Sequence, residues 1–112
     1  MVVTDKDAPV QADDEKIVRK MLAHGGELMM CEVMFKKISD TPGMHKHEHE
    51  QISYVTKGKF EFFVEGRADG VLLEAGDSIY IEPNVMHGAM ARTEGATLLD
   101  VFTPMRADFL MK

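Results

Sequence analysis

Residues 44–51 read MHKHEHEQ, and residues 76–87 read GDSIYIEPNVMH. The first stretch holds three histidines at alternate positions, and the second ends on a fourth, His87. Imidazole is the side chain that most often binds metal ions in proteins, and histidines on two distant segments are typical of a folded metal site. We therefore expect the chain to fold so that these two segments meet around one ion.

The alternating histidines fit the geometry of a strand. Residues two apart on a strand point the same way and lie about 6.6 Å apart, so His45 and His47 can share one ion. On a straight strand Gln51 would lie about 13 Å beyond His47, too far to share that ion. The wholly polar residues 46–50 favour a bend, which returns Gln51 to the metal and leaves His49 at the bend, outside the ligand set.

Composition and charge place the chain among ordinary globular proteins. It has 112 residues, of which 45% are hydrophobic and 29% charged, and this suits a single domain with one modest core. The net charge of −6 provides no basic surface for a phosphate backbone, so we expect no nucleic-acid partner. No stretch reaches the roughly 18 consecutive apolar residues of a membrane span, and the N-terminus lacks the pattern of a signal peptide. We expect a cytoplasmic protein without a membrane partner.

Short strands separated by turn residues account for most of the chain. The expected strands are residues 17–22, 28–38, 51–56, 59–64, 71–74, 78–81, 86–91 and 96–103. Eight short strands without alternating helices indicate an all-β sandwich or barrel. The polar residues 1–15 are expected to form a loose N-terminal arm or strap, residues 16–112 the β-barrel domain, and residues 106–111 one helical turn. The lone cysteine, Cys31, is expected in the core, and His24 in an exposed turn.

The last expected strand carries a single charge, Asp100, within an apolar run. With a period of two, Leu98, Asp100 and Phe102 share one face, where a carboxylate should not be buried without a partner. Asp100 is therefore either a paired structural acid or the general acid or base of a working cavity. Arg106 is either its structural partner or a guanidinium that grips a substrate carboxylate through two hydrogen bonds.

The two histidine motifs resemble those of the cupin superfamily of small β-barrels. The first cupin motif has two histidines one residue apart, then a carboxylate or amide, then a glycine; His45, His47, Gln51 and Gly58 match it. The second motif runs from a glycine through a proline to a histidine, as residues 76–87 do. Gln51 replaces the usual Glu. The resemblance implies an all-β, single-domain cupin, a double-stranded β-helix or jelly-roll barrel.

The second motif departs from the pattern at Asn84, which stands where glycine is common. Asparagine also tolerates a left-handed backbone, so the change is mild. The resemblance completes the metal site with His87, and the implied ligands are His45, His47, Gln51 and His87. One divalent ion is expected, and Ni, Zn, Fe, Mn and Co all suit three imidazoles and an amide oxygen. Because these ligands are neutral, the ion keeps its full charge and is a stronger Lewis acid.

A narrower resemblance, to the KdgF family of pectin-degradation cupins, rests on HEHEQISYV at residues 47–55 and DVFTPMRADFL at residues 100–110. It implies a metal-dependent enzyme that converts 4,5-unsaturated monouronates from pectin or alginate breakdown into linear ketonised forms. In that family pattern Asp100 is the catalytic acid or base. Phe102 and Arg106 line the substrate site, and Arg106 also serves catalysis by gripping the small anionic sugar.

Two other classes of function stay open from the sequence. One is a different metal-dependent cupin enzyme, such as an Fe-dependent dioxygenase with the same ligands. The other is a non-catalytic cupin that binds a sugar or small acid. A homodimer is expected in each case, mainly because small cupins often pair.

Overall fold

The computed structural model describes residues 1–110. Over these residues the chain forms a 3-10 helix, nine strands and a short α-helix. Their bounds are Asp5–Asp7 for the 3-10 helix, Val10–Asp13 (β1), Ile17–Gly25 (β2), Leu28–Phe35 (β3), Glu50–Lys57 (β4), Lys59–Val64 (β5), Val71–Glu74 (β6), Ser78–Ile81 (β7), His87–Ala91 (β8), Thr97–Thr103 (β9) and Ala107–Leu110 (α1).

The strands form two antiparallel sheets that enclose the core. The larger sheet has the order β1-β2-β3-β9-β4-β7, and the smaller has the order β6-β5-β8. One buried cluster joins the sheets around Phe60, Ile81 and Leu98. A second cluster, around Met29, Cys31 and Phe102, lies at the other end of the larger sheet. The all-β prediction is confirmed.

Buried and more exposed residues alternate along the strands, and the buried ones form this core. Strand β9 buries Leu98, Asp100 and Phe102 on one face, as a period of two predicts. Strand β4 buries Gln51, Ser53 and Val55 in the same way. Two polar side chains, Gln51 and Ser53, and one carboxylate, Asp100, therefore point inward from neighbouring strands of one sheet.

The N-terminal segment, for which we expected a loose arm or strap, contains a strand that pairs with the larger sheet. Strand β1 pairs with β2, and the amide of Met21 donates to the carbonyl oxygen of Pro9 at 2.8 Å. Asp14 shapes the turn between these strands, because its Oδ1 accepts from the amides of Lys16 and Ile17 at 2.8 Å each. The division of the chain between residues 15 and 16 stays a prediction.

Two other expectations on local structure, the end of β3 and the position of His24, were wrong. Strand β3 ends at Phe35 instead of residue 38. Strand β2 continues to Gly25, so the half-buried His24 lies in the strand and not in an exposed turn. Helix α1 gives the expected C-terminal turn over residues 107–110, while residue 111 lies outside the described residues.

Cys31 is completely buried, as expected of a core residue. Asn84 adopts the left-handed backbone that its place in the motif requires, with φ of 61°. Within residues 1–110 the structure contains no helix with the length and apolar character needed to cross a membrane.

Candidate functional site

The two histidine segments lie side by side and are joined through their backbones. His45 and His87 form an antiparallel bridge in which each amide donates to the other residue's carbonyl oxygen, at 2.9 and 2.8 Å. The amide of Asn84 adds a third bond, to the carbonyl of His47 at 2.8 Å. As a result His45, His47 and His87 each offer a ring nitrogen to one cluster, and these atoms lie within 4.8 Å of one another.

Glycine at position 88 allows this close approach of the two segments. A Cβ atom built on Gly88 would overlap the carbonyl oxygen of Pro42 and would lie 3.0 Å from its carbonyl carbon and 3.1 Å from the Met44 sulfur. The Pro42 contact is with backbone, which cannot move as a side chain does. Gly88 therefore sets the spacing between the strand that carries His87 and the segment that carries His45.

Main-chain carbonyl groups fix the orientation of all three imidazoles. Because a carbonyl oxygen only accepts, the ring nitrogen beside it must carry the proton, and the other nitrogen keeps its lone pair for a metal. The Nδ1 atom donates in every case: from His45 to Gly43 at 3.0 Å, from His47 to His49 at 2.8 Å, and from His87 to Val85 at 2.9 Å.

The remaining ring nitrogens could hold a metal ion. Burial lowers the pKa of both His47 and His87, which favours the neutral imidazole that binds metals. The Nε2 atom of His87 is buried and has no hydrogen-bond partner within residues 1–110. The Nε2 atom of His47 faces Gln51 Oε1 at 3.1 Å. Two lone pairs at that distance repel unless a cation lies beside both, so the residues present fit a divalent metal ion.

A chain of hydrogen bonds sets the direction of the Gln51 amide. Ser53 donates its hydroxyl proton to Asp100 Oδ1 at 2.6 Å, so its oxygen is left to accept from Gln51 Nε2 at 2.8 Å. The same Nε2 lies 3.5 Å from Asp100 Oδ1. Gln51 therefore turns its oxygen, and not its nitrogen, toward His47 and the histidine cluster.

Asp100 is a buried carboxylate on the wall of a cavity. Desolvation raises the pKa of Asp100 to about 6, although the Ser53 hydrogen bond and the positive charge of Arg19 act in the opposite direction. The hydrogen bonds that described residues donate to Asp100 all end on Oδ1, so Oδ2 has no donor among these residues. Asp100 is thus a carboxyl group with one oxygen held and one available to exchange a proton.

The cavity has a volume of about 500 Å³. It collects most of the site residues that the sequence predicted, together with one arginine that it did not. Its wall includes His45, Gln51, Asp100, Phe102, Arg106 and Arg19. The ring of Phe102 also packs against that of His47, with 5.8 Å between the ring centres.

Arg106 lines this cavity but does not pair with Asp100. Its Nε and Nη2 atoms donate to the two carboxylate oxygens of Asp108, at 3.2 and 2.9 Å. Its guanidinium carbon lies 4.2 Å from the centre of the Phe109 ring and 5.6 Å from that of Phe102. The structural Asp100–Arg106 pair that the sequence left open is absent from the described residues.

His49 lies at a bend, and the cluster of three histidines excludes it. Its Nδ1 atom donates to the Pro104 carbonyl oxygen at 2.9 Å, while its own carbonyl accepts from His47. His49 therefore supports a metal-facing imidazole and ties the segment to the end of β9.

Ser53 and Arg19 are the two candidate functional residues that the sequence analysis missed. Ser53 had a usable signal, because it shares the inward face of its strand with Gln51, and polar residues on an inward face need partners. Arg19 had a weaker signal, since it lies two residues from Ile17 and from Met21 in a strand of mixed polarity.

Comparison with known proteins agrees with this geometry. The family described as cupin domain matches residues 32–102, which is more than half of the chain. This chain is a cupin. It is 41% identical over 108 residues to the pectin degradation protein KdgF of Dickeya dadantii (strain 3937), and the match covers 95% of this chain and 94% of that protein.

Two solved cupin structures share the fold along almost the whole chain. KdgF from Halomonas sp. matches with a TM-score of 0.86 and 33% identity, covering 96% of each chain. An RmlC-like cupin from Shewanella frigidimarina matches with a TM-score of 0.85 and 34% identity, covering 96% of this chain and 94% of its own. The chain therefore belongs to the KdgF family of cupins, and the predicted cupin fold is confirmed.

Proposed function

We propose that this cupin is a metal-dependent enzyme that converts 4,5-unsaturated monouronates into linear ketonised forms by ring opening and tautomerisation. The observation that carries the proposal is the buried Asp100 carboxyl group, which shares a cavity with His45, one of three clustered imidazoles that could hold a metal ion. The pectin-degradation name of the Dickeya relative supports a substrate derived from pectin. Homology to KdgF supports the choice of this reaction over other cupin chemistry.

His45, His47, His87 and the Oε1 atom of Gln51 would hold the ion. Their neutral charge and lone-pair directions suit Ni, Zn, Fe, Mn or Co. When bound, the ion supplies Lewis acidity that polarises sugar oxygens, and no electron transfer is required.

Asp100 would carry the protons of the reaction. Opening a cyclic hemiacetal removes the proton of the anomeric hydroxyl and adds one to the ring oxygen. Ketonisation then removes the enol hydroxyl proton and adds one to the neighbouring carbon, so the sequence is neutral in protons and electrons. Because Ser53 holds Oδ1, the proton is exchanged at Oδ2 of Asp100.

Arg106 and Phe102 would bind the sugar. Arg106 presents a planar guanidinium that suits a carboxylate, and its pair with Asp108 is exposed enough to be exchanged for a substrate anion. Phe102 provides an apolar wall between Arg106 and the ring of His47. The proposed partner is thus a small anionic sugar.

We also propose that the protein is a cytoplasmic homodimer. The outer face of the larger sheet exposes Ile52, Tyr54 and Tyr80, and strand register places Ile52 directly beside Tyr80. A second copy of the same face would cover these apolar side chains.

Ultraviolet absorbance tests the proposed reaction directly. Metal-loaded protein mixed with 4,5-unsaturated galacturonate is expected to remove the absorbance of the conjugated double bond faster than the spontaneous reaction does. Chelation is expected to return the rate to the spontaneous one. No acceleration with any of the five metals would reject the proposed function, and O₂ consumption with Fe would favour a dioxygenase instead.

Replacing Ser53 with Ala is expected to lower turnover by about 10- to 100-fold, as for the loss of other residues that orient a metal ligand. Gln51 loses its nearer acceptor and Asp100 its nearer donor, while the three imidazoles stay in place. Kinetics, metal content and thermal unfolding measure the effect, with the exposed Ser78→Ala as the matched control. Wild-type turnover in Ser53→Ala would show that this hydrogen bond is dispensable.

A further inference from the structure

Arg19 is a cavity residue that lies outside the segment matched by the cupin family. It belongs to β2 and pairs with Val33 of β3 on one side and with Ala12 of β1 on the other. Its neighbours two residues away, Ile17 and Met21, pack into the second core cluster, so its side chain leaves the same inward face.

The hydrogen bonding of Arg19 is incomplete. Its Nη1 atom donates to the neutral amide oxygen of Gln11, Oε1, at 3.0 Å, and the guanidinium also interacts with the side chain of Cys31. The Nε atom is buried and has no partner within the same residues. Burying a guanidinium N–H without an acceptor costs free energy. An anion offsets this cost best, because its hydrogen bond to a guanidinium is charge-assisted.

The charge of Arg19 is also uncompensated at ion-pair distance. No carboxylate of residues 1–110 lies within 4.0 Å of it, whereas Arg106 on the same cavity wall is paired with Asp108. Asp100 is engaged by Ser53 instead. Of the two arginines in the cavity wall, Arg19 is thus the one without an ion-pair partner, and an anionic ligand would neutralise its charge.

Both arginines contact the aromatic ring of Phe109, which also lines the cavity. The guanidinium carbon of Arg19 lies 4.4 Å from the ring centre, and that of Arg106 lies 4.2 Å from it. Two cations on one ring make this part of the cavity attractive to an anion.

We propose that Arg19 binds the carboxylate of an acidic sugar in this cavity and thereby selects acidic sugars over neutral ones. The proposal rests on the proposed function for the class of ligand, and it adds a second guanidinium to Arg106. The N-terminal strand β1 gains a role as well, because its Gln11 holds the Arg19 side chain in place.

Binding of two sugars that are not substrates of the reaction tests Arg19 separately from turnover. D-galacturonate and D-galactose differ in the carboxylate, and NMR titration of the metal-loaded protein measures the affinity for each. The variant Arg19→Met keeps an unbranched apolar side chain to pack on Phe109 but removes the charge. The exposed Arg67→Met is the matched control, and Arg19→Gln replaces Arg19→Met if that variant does not fold.

We expect the wild-type protein and Arg67→Met to prefer galacturonate. In Arg19→Met, galacturonate should bind about tenfold more weakly or worse, as expected for a lost charge-assisted hydrogen bond, with galactose affinity unchanged. With unsaturated galacturonate KM should rise by a similar factor, while kcat changes little.

Three results would overturn the proposal: no preference for galacturonate in the wild type, equal galacturonate binding by Arg19→Met, or a fall in kcat at constant KM. The last would mean that Arg19 acts on Asp100 and not on the ligand. If no protein turns over the unsaturated sugar, the proposed function fails, but the comparison of galacturonate with galactose still decides the role of Arg19.

Discussion

Replacing Asp100 with Asn is expected to reduce turnover of 4,5-unsaturated galacturonate by about 100- to 10,000-fold, the usual contribution of a general acid or base. Asparagine has nearly the same shape, and its Oδ1 can still accept the Ser53 hydroxyl proton. It cannot carry a proton to or from the sugar at the position of Oδ2. The loss should therefore appear in kcat, with the fold and metal site intact.

Ultraviolet kinetics, metal analysis and thermal unfolding together measure this outcome. Metal content is expected to equal that of the wild type, because Asp100 is outside the histidine cluster. Asp69→Asn, which removes an exposed carboxylate, is the matched control and should behave as the wild type. Asp100→Asn protein that holds its metal and turns over the sugar at the wild-type rate would show that another group moves the proton.

Replacing His87 with Ala is expected to eliminate metal binding and, with it, turnover. His87 joins the two histidine segments, and its buried Nε2 atom has no hydrogen-bond partner in the described part of the chain. The backbone bridge to His45 uses no side-chain atoms, so the barrel should still form. Removal of the metal from wild-type protein by chelation should have the same effect on activity and should be reversed by one or more of the five divalent ions.

Metal stoichiometry and thermal unfolding with and without added metal measure this second prediction. Added metal should raise the unfolding temperature of the wild type, since a ligand that binds only the folded state stabilises it. No such rise is expected for His87→Ala. His49→Ala is the control for stoichiometry, because His49 contacts Pro104 and lies outside the cluster. Wild-type affinity for metal in His87→Ala would contradict the assignment of this ligand.

The spacing of apolar, turn and histidine residues along the chain made much of the fold and of the candidate ligands predictable. Period-two alternation placed Leu98, Asp100 and Phe102 on one buried face, and strands β5, β6 and β7 have the bounds expected from their turns. Strand geometry also predicted a bend within residues 46–50, because no straight strand brings Gln51 back to His47, and the structure has the bend at residues 48–49.

The features that sequence did not predict depend on which strands become neighbours. Ser53 meets Asp100 only because β4 pairs with β9 in a register that places these two residues opposite each other. Arg19 enters the cavity because β2 and β3 continue the same sheet. Strand β1 forms because the edge of β2 offers it backbone partners. With four residues, β1 is too short for an alternation of polar and apolar residues to identify it from the sequence.

In the candidate metal site, the backbone orients the imidazoles and side chains orient Gln51. The three imidazoles are oriented by main-chain carbonyls, which are present whatever side chains the neighbouring residues carry. Gln51 alone is oriented by side chains, through Ser53 and Asp100. Substitutions around the site can therefore change the orientation of Gln51, the proposed fourth ligand, and of Asp100, while the orientation of the three imidazoles depends on the backbone alone.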